Sequence, residues 1–308
     1  MSTTVLIYHT SRAERYADLL RPLLPEARLL PCATPEEAAR HVGEAVALFS
    51  WRFPTELFAR APRLRWVQAM GAGVEDLVVA PLPAGCLLTR VEGLFGGYMS
   101  EYAFGHMLAH VLRFRHLYEA QARHEWAPFM AGTLRGKRLG VAGAGSIGAE
   151  VARRGKVFGM EVWALARTAR PLADVDRVFA QAEAAEFTAG VDFLVSSLPL
   201  TAETVGLIDP LALKEGALLV NIGRGATIDE QRLLEAARSG RIHAVLDVFA
   251  QEPLPAEHPF WSTPGITVTP HVSGPSVPEE VAEYFAANLR RYEAGQPLVG
   301  LVDRQRGY

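Results

Sequence analysis

Short, almost wholly apolar runs alternate along the chain with amphipathic stretches. Val5–Tyr8, Ala45–Ser50 and Leu64–Ala69 read as buried strands, and Ala13–Leu24 and Pro35–Val42 read as helices. Thr34 stands as N-cap of the second helix, Pro35 at its first position and two glutamates in its first turn. The cluster Gly93–Gly97 interrupts this pattern. From Tyr98 to Glu119, Met99, Tyr102, Ala103, Met107, His110, Val111 and Phe114 fall on one face of a single long helix. Strands at Leu139–Ala142, Met160–Ala166, Phe193–Ser196, Ala217–Asn221, Ala244–Val248 and Thr267–Thr269 then alternate with helices. A last helix, Pro278–Gly295, precedes an extended tail. Strands apolar on both faces and separated by helices imply parallel sheets covered on both sides.

The glycine cluster marks a boundary, and the pattern predicts two α/β domains. Residues 98–276 form one, inserted between residues 1–97 and 277–308, which together form the other. A chain of 308 residues, 49% hydrophobic, is comfortable as two cores. A net charge of −3, with both signs interspersed, gives no reason to expect nucleic-acid or membrane-surface binding. Cys32 and Cys86 have no metal-ligand or redox spacing. Met1–Tyr8 passes directly into a strand pattern without a basic leader, and no apolar run approaches a membrane span. The expectation is a soluble cytoplasmic protein.

Leu139–Ala142 runs into Gly143-Ala144-Gly145-Ser146-Ile147-Gly148, and a helix pattern follows. In that strand–turn–helix setting the glycines make a dinucleotide fingerprint. Gly143 permits the turn, Gly145 lets backbone approach a pyrophosphate, and Gly148 lets helix and strand pack closely. The N–H groups of Ser146 and Ile147 lie where the helix start attracts an anion. The next strand, Met160–Ala166, ends without the carboxylate that would bind a ribose 2′-hydroxyl; Arg167, Thr168 and Arg170 follow instead. Guanidiniums grip a 2′-phosphate bidentately, so NADP(H) is preferred over NAD(H). The plainer reading of Arg167 and Arg170 is solvated loop charge.

Three polar landmarks follow strands in the second half: Arg224 in Asn-Ile-Gly-Arg-Gly, Glu252 in Asp-Val-Phe-Ala-Gln-Glu-Pro-Leu-Pro, and His271 in Thr-Pro-His. Singly, these are a surface charge, a turn residue and a capping histidine. Together, at the strand ends where open α/β sheets bind ligands, they point to a catalytic set.

These segments, in this order, resemble the catalytic signatures of the D-isomer-specific 2-hydroxyacid dehydrogenases, and the resemblance covers the whole length. Within that family the chain is most similar to the glyoxylate/hydroxypyruvate reductase A group, through Gly71-Ala72-Gly73-Val74, Trp163 with Arg167 beyond it, and the ending Val302–Tyr308. The resemblance implies a Rossmann-type doubly wound parallel sheet inserted into a smaller, flavodoxin-like α/β substrate domain, and a homodimer through the helix at 98–119 and the segment beyond it. It implies reduction of small 2-keto acids, with His271 as general acid, Glu252 pairing with its imidazole and Arg224 holding the substrate carboxylate and carbonyl. The backbone at Gly71, Ala72 and Gly73 would hold the carboxylate from the other domain. Leu198, Pro199, Ile222 and Gly223 would line the cofactor, and Asp247 would accept from the nicotinamide carboxamide. For Asp247 the alternative is an acid satisfied by local backbone.

Glu75 stands where the family usually has Asp, and Glu252 argues against the formate dehydrogenase branch, which has Gln there. Arg52, after the strand Ala45–Ser50, is a further substrate candidate, with a plain surface turn as its alternative. His124, Trp126 and Arg306 are weaker candidates. Two other functions stay open: a reductase of a bulkier keto acid, and a non-catalytic dinucleotide sensor of the kind found among co-repressor relatives of this fold.

Overall fold

The structure, a computed structural model, describes residues 3–307; Met1 and Ser2 of the N-terminal stretch and Tyr308 of the C-terminal match lie outside the described residues. The chain divides into two compact units, Met1–Leu94 with Ser276–Tyr308, and Phe95–Pro275.

In the first unit five parallel strands, β1 (Thr4–Tyr8), β2 (Arg28–Cys32), β3 (Ala47–Ser50), β4 (Trp66–Ala69) and β5 (Leu87–Thr89), lie in the order β2-β1-β3-β4-β5. The helices are α1 (Ala13–Leu23), α2 (Pro35–His41) and the short α3 (Glu75–Val78). Helix α2 begins with a full capping box: the Thr34 hydroxyl accepts from Glu37 N–H at 3.2 Å, and the Glu37 carboxylate accepts from Thr34 N–H at 3.3 Å. The C-terminal helix Pro278–Glu293 completes this core. Its Phe285 is stacked between Phe49 (4.3 Å) and Trp66 (5.2 Å). Its Asn288 donates to the buried Gln68 side-chain Oε1 at 3.0 Å, and the same oxygen accepts from the Thr89 hydroxyl at 2.7 Å. The tail then bridges Leu301 to Thr89 in the antiparallel sense, covering the β5 edge.

The second unit opens with helices α4 (Gly96–Val111) and α5 (Phe114–Ala122). These replace the single long helix that the pattern predicts. Arg113 takes a left-handed conformation (φ 53°), the Val111 carbonyl accepts from Gly132 N–H at 2.9 Å, and the Arg113 guanidinium lies 4.7 Å over the Phe129 ring. Contacts with a segment later in the chain therefore stabilise the break, and the local apolar period does not register them.

Seven parallel strands follow: β6 (Arg138–Ala142), β7 (Glu161–Ala166), β8 (Arg177–Ala180), β9 (Phe193–Ser196), β10 (Ala217–Asn221), β11 (Ile242–Leu246) and β12 (Ile266–Val268). Helices α6 (Ser146–Val157), α7 (Ala184–Gly190) and α8 (Glu230–Arg238) connect them; the C-terminal helix of the first unit is α9. The order is β12-β11-β10-β9-β6-β7-β8, so connections run outward in both directions from the β6/β9 boundary. Ligands bind at such a switch point, outside the carboxyl ends of the strands. The expected doubly wound parallel architecture is present. Among the described residues no helix is long and apolar enough to cross a membrane, and no group of three or more His, Cys, Asp and Glu is placed to hold a metal ion.

Candidate active site at the strand ends of the second unit

The glycine loop follows β6. Gly143 has a left-handed backbone (φ 93°), and a Cβ there would meet the Ser197 carbonyl at 3.0 Å. A Cβ on Gly148 would collide with the Gly143 carbonyl oxygen, whereas Gly145, the N-cap of α6, faces open space. The first intrahelical bond is Ala149 N–H to Gly145, so the preceding N–H groups have no helical partner. Two close approaches and one open one suit a pyrophosphate on the helix start. Leu198 N–H is 3.1 Å from the same ideal Cβ of Gly143, and a Cβ on Gly223 would stand 2.7 Å from the Leu198 carbonyl oxygen. The ends of β6, β9 and β10 thus close tightly around Leu198, Ile222 and Gly223, with Pro199 half-buried beside them. Past β7, Arg167, Thr168 and Arg170 are exposed. Glu203, from the loop after β9, places a carboxylate oxygen 3.6 Å from the Arg167 guanidinium. The motif gives no sign of that partner.

Arg224 lies one turn beyond β10 in extended conformation. The buried Asn221 side chain shapes this turn, accepting from Gly223 N–H at 3.1 Å and donating to the Arg224 carbonyl at 3.1 Å. Thr227 Oγ1 donates to the same carbonyl at 2.7 Å. Asn221 and Thr227 hold the arginine backbone; Asn221 opens the Asn-Ile-Gly-Arg-Gly segment, whereas Thr227 carries no sequence signal.

Glu252 and His271, singled out separately in the sequence, meet in the fold. His271 Nδ1 is 2.8 Å from Glu252 Oε2, and Glu252 Oε1 accepts from Phe249 N–H at 3.0 Å. An ionised carboxylate only accepts, so Nδ1 carries the proton in this contact and Nε2 is left for other partners. His271 has a left-handed backbone (φ 54°), and its N–H donates to the carbonyls of Asp247 (3.0 Å) and Thr269 (3.1 Å). The Asp247 carboxylate is fully buried, 0% exposed. It accepts from Val272 N–H (2.9 Å), Ser273 N–H (2.8 Å) and the Thr269 hydroxyl (2.6 Å). Asp247 therefore braces the loop that carries the histidine, an arrangement close to the local-backbone alternative.

The remaining candidates belong to the first unit. Gly71 follows β4, where a Cβ would meet the Trp51 ring at 2.8 Å; Ala72 is half-buried and Gly73 exposed. Arg52 follows β3, exposed, 3.7 Å from Asp76. In the tail Arg306 pairs with Asp303 at 3.1 Å. Cys32 and Cys86 are unbonded, and burial pushes both thiols up to about 11, which makes them poor nucleophiles at neutral pH.

Residues 104–273 match the family model for the NAD binding domain of D-isomer specific 2-hydroxyacid dehydrogenases. The chain belongs to this family. The dehydrogenase is 36% identical, over 84% of its length and 86% of the relative's, to glyoxylate/hydroxypyruvate reductase A of Serratia proteamaculans (strain 568). Among solved structures it is similar to a D-isomer specific 2-hydroxyacid dehydrogenase family protein from Aeromonas salmonicida, with TM-score 0.90, 38% identity, and 98% and 100% of the two chains covered. It is also similar to an NADPH-dependent glyoxylate/hydroxypyruvate reductase from Sinorhizobium meliloti in complex with NADP and sulfate, with TM-score 0.90, 29% identity and both chains covered in full. The dehydrogenase is therefore an NAD(P)-dependent oxidoreductase acting on 2-hydroxy acids and their keto counterparts.

Proposed function

We propose that this dehydrogenase reduces small 2-keto acids, glyoxylate and hydroxypyruvate, to D-2-hydroxy acids with NADPH in preference to NADH. The observation that carries the reading is the pair formed by Glu252 and His271 at 2.8 Å, with the second carboxylate oxygen tied to Phe249 N–H. That anchoring fixes the imidazole orientation. In this reading the N–H groups at the start of α6 hold the pyrophosphate, and Arg167, Thr168 and Arg170 receive the 2′-phosphate. When bound, the dihydronicotinamide supplies the hydride to the substrate C2. As the carbonyl π bond opens, charge gathers on its oxygen, and His271 delivers the Nε2 proton there. Arg224 engages the substrate carboxylate and carbonyl through its planar fork. Ala72 and Gly73 after β4 and Arg52 after β3, all in the first unit, are anion contacts in the same reading.

The relatives named glyoxylate/hydroxypyruvate reductase and the NADP complex of one structural neighbour support the substrate class and the cofactor. Self-association as a homodimer through residues 98–119, in α4 and α5, and the segment beyond them is part of the same reading, supported by exposed apolar side chains of α5 and that segment. A reducing, cytoplasmic setting suits the two unbonded cysteines. The test is His271→Ala, assayed with glyoxylate and NADPH. Turnover is expected to fall by about 10²–10⁴-fold, while NADPH binding, read by fluorescence, is retained. Near-normal turnover ends the assignment.

A further inference from the structure

The loop that carries His271 holds a non-glycine residue in left-handed backbone, a conformation that persists only where surrounding contacts over-determine it. Those contacts come from two residues. Asp247 and Thr269 supply the carbonyls that receive His271 N–H, and their side chains are joined by the Thr269 hydroxyl at 2.6 Å from Asp247. A third group completes the line: the Tyr102 hydroxyl, reaching from α4, is 2.6 Å from Thr269 Oγ1.

The direction of this chain of bonds is fixed by proton counting. Both oxygens of the Asp247 carboxylate already accept backbone N–H bonds from Val272 and Ser273. Thr269 has one hydroxyl proton and gives it to Asp247, so toward Tyr102 its oxygen accepts. Tyr102 is the donor. Burial pushes the phenol up to about 12, with the Thr269 bond opposing, so the donor proton stays in place across the neutral range. The ring is held independently, packed 4.5 Å from the His106 ring on the next turn of α4, and α4 itself packs against α6. Helix, threonine, buried carboxylate and histidine loop form one connected unit.

We infer that Tyr102 is a positioning residue for the proton-transfer step, acting through Thr269 and Asp247 to hold His271 in its working conformation. The inference rests on the reading of His271 as the acid. Tyr102 touches neither substrate nor cofactor in this scheme; removing its hydroxyl leaves the Thr269 oxygen without a buried donor, and the loop gains freedom where angular precision sets the rate.

Tyr102→Phe keeps the ring and deletes one donor. It is expected to lower kcat for glyoxylate reduction by about five- to tenfold, the effect of one buried hydrogen bond, while KM for NADPH changes less than about twofold. Thr269→Val should lose at least as much and Thr269→Ser should restore most of the activity. The Tyr102→Phe/Thr269→Val double variant should be no slower than Thr269→Val alone, because the two act in series. Unchanged kcat in Tyr102→Phe, a loss confined to KM for NADPH, equal losses in Thr269→Val and Thr269→Ser, or losses that multiply in the double variant each overturn the inference. His271→Asn measured alongside separates the two claims. Retained turnover there removes the reading of the site itself, whereas its loss beside an unaffected Tyr102→Phe removes only the role of the tyrosine.

Discussion

At the level of single residues, the contact between Arg167 and Glu203 is where the proposed preference for NADPH is tested most directly. The two charges are 3.6 Å apart, with side chains 41% and 64% exposed, so solvent and salt screen their attraction. A 2′-phosphate arriving at Arg167 meets a guanidinium already facing a carboxylate. Arg167→Ala is expected to raise KM for NADPH by about tenfold or more and to leave KM for NADH nearly unchanged. Glu203→Gln is expected to lower KM for NADPH by about two- to threefold, with a smaller effect at high salt. Steady-state assays with both cofactors check this, and equal effects on NADPH and NADH overturn it. The same pair shows what single positions reveal in a sequence. Arg167, Arg224, Glu252 and His271 could be picked out as candidates because each is a polar residue in the loop that follows an apolar strand. Asn221 and Thr269 stood inside the quoted segments with no part assigned to them, and Glu203 and Tyr102 were not singled out for the site, because their parts depend on partners brought close only by folding.

At the level of elements, the strands that the pattern missed all lie at sheet edges, although the edge strand β12 was read within one residue of its place. The interior strands β1, β3, β4, β6, β7, β9, β10 and β11 are apolar runs and were read near their observed places. Strands β2, β5 and β8 escaped, and each is the last strand at a sheet edge. Pro31 in β2 and Arg177 in β8 carry the polarity and missing donors that edges tolerate and interiors exclude. Helix α4 adds a feature the pattern conceals. His110, on its apolar face, lies 4.8 Å from the His243 ring of β11. Burial, with a smaller contribution from the neighbouring His243, pulls its pKa down to about 4 from 6.5. The sign follows from proton binding: between about 4 and 6.5 the unfolded chain holds a proton on His110 that the folded protein lacks, so stability falls as pH drops through that window. His110→Gln is expected to lessen the loss of Tm between pH 7 and pH 5, measured by calorimetry. An unaltered pH dependence assigns the acid limb to other groups.

At the level of the whole molecule, the decisive long-range fact is that α9 closes the core of the first unit from the far end of the chain, through Phe285 between Phe49 and Trp66. The switch of pattern at Gly93–Gly97 suggested a discontinuous domain, but stacking of distant aromatics has no local signature. The opposite case is apolar surface without an internal partner. Trp126 is 96% exposed and Met130 95% exposed, in an irregular stretch following α5, whose Leu117 and Tyr118 are also exposed. Large exposed apolar side chains are the kind that association covers, and a tryptophan buried at the centre of an interface contributes several times the energy of a rim residue. For the proposed homodimer, Trp126→Ala with Met130→Asp removes an aromatic anchor and introduces a charge that would lose its hydration on burial. The association is expected to weaken by about 3–5 kcal/mol, enough to shift a micromolar solution from dimer toward monomer by light scattering. Thermal unfolding of the diluted wild type, which reports the isolated chain, should match that of the variant, because neither side chain contributes to a core. Identical masses for wild type and variant would remove this surface from the dimer interface.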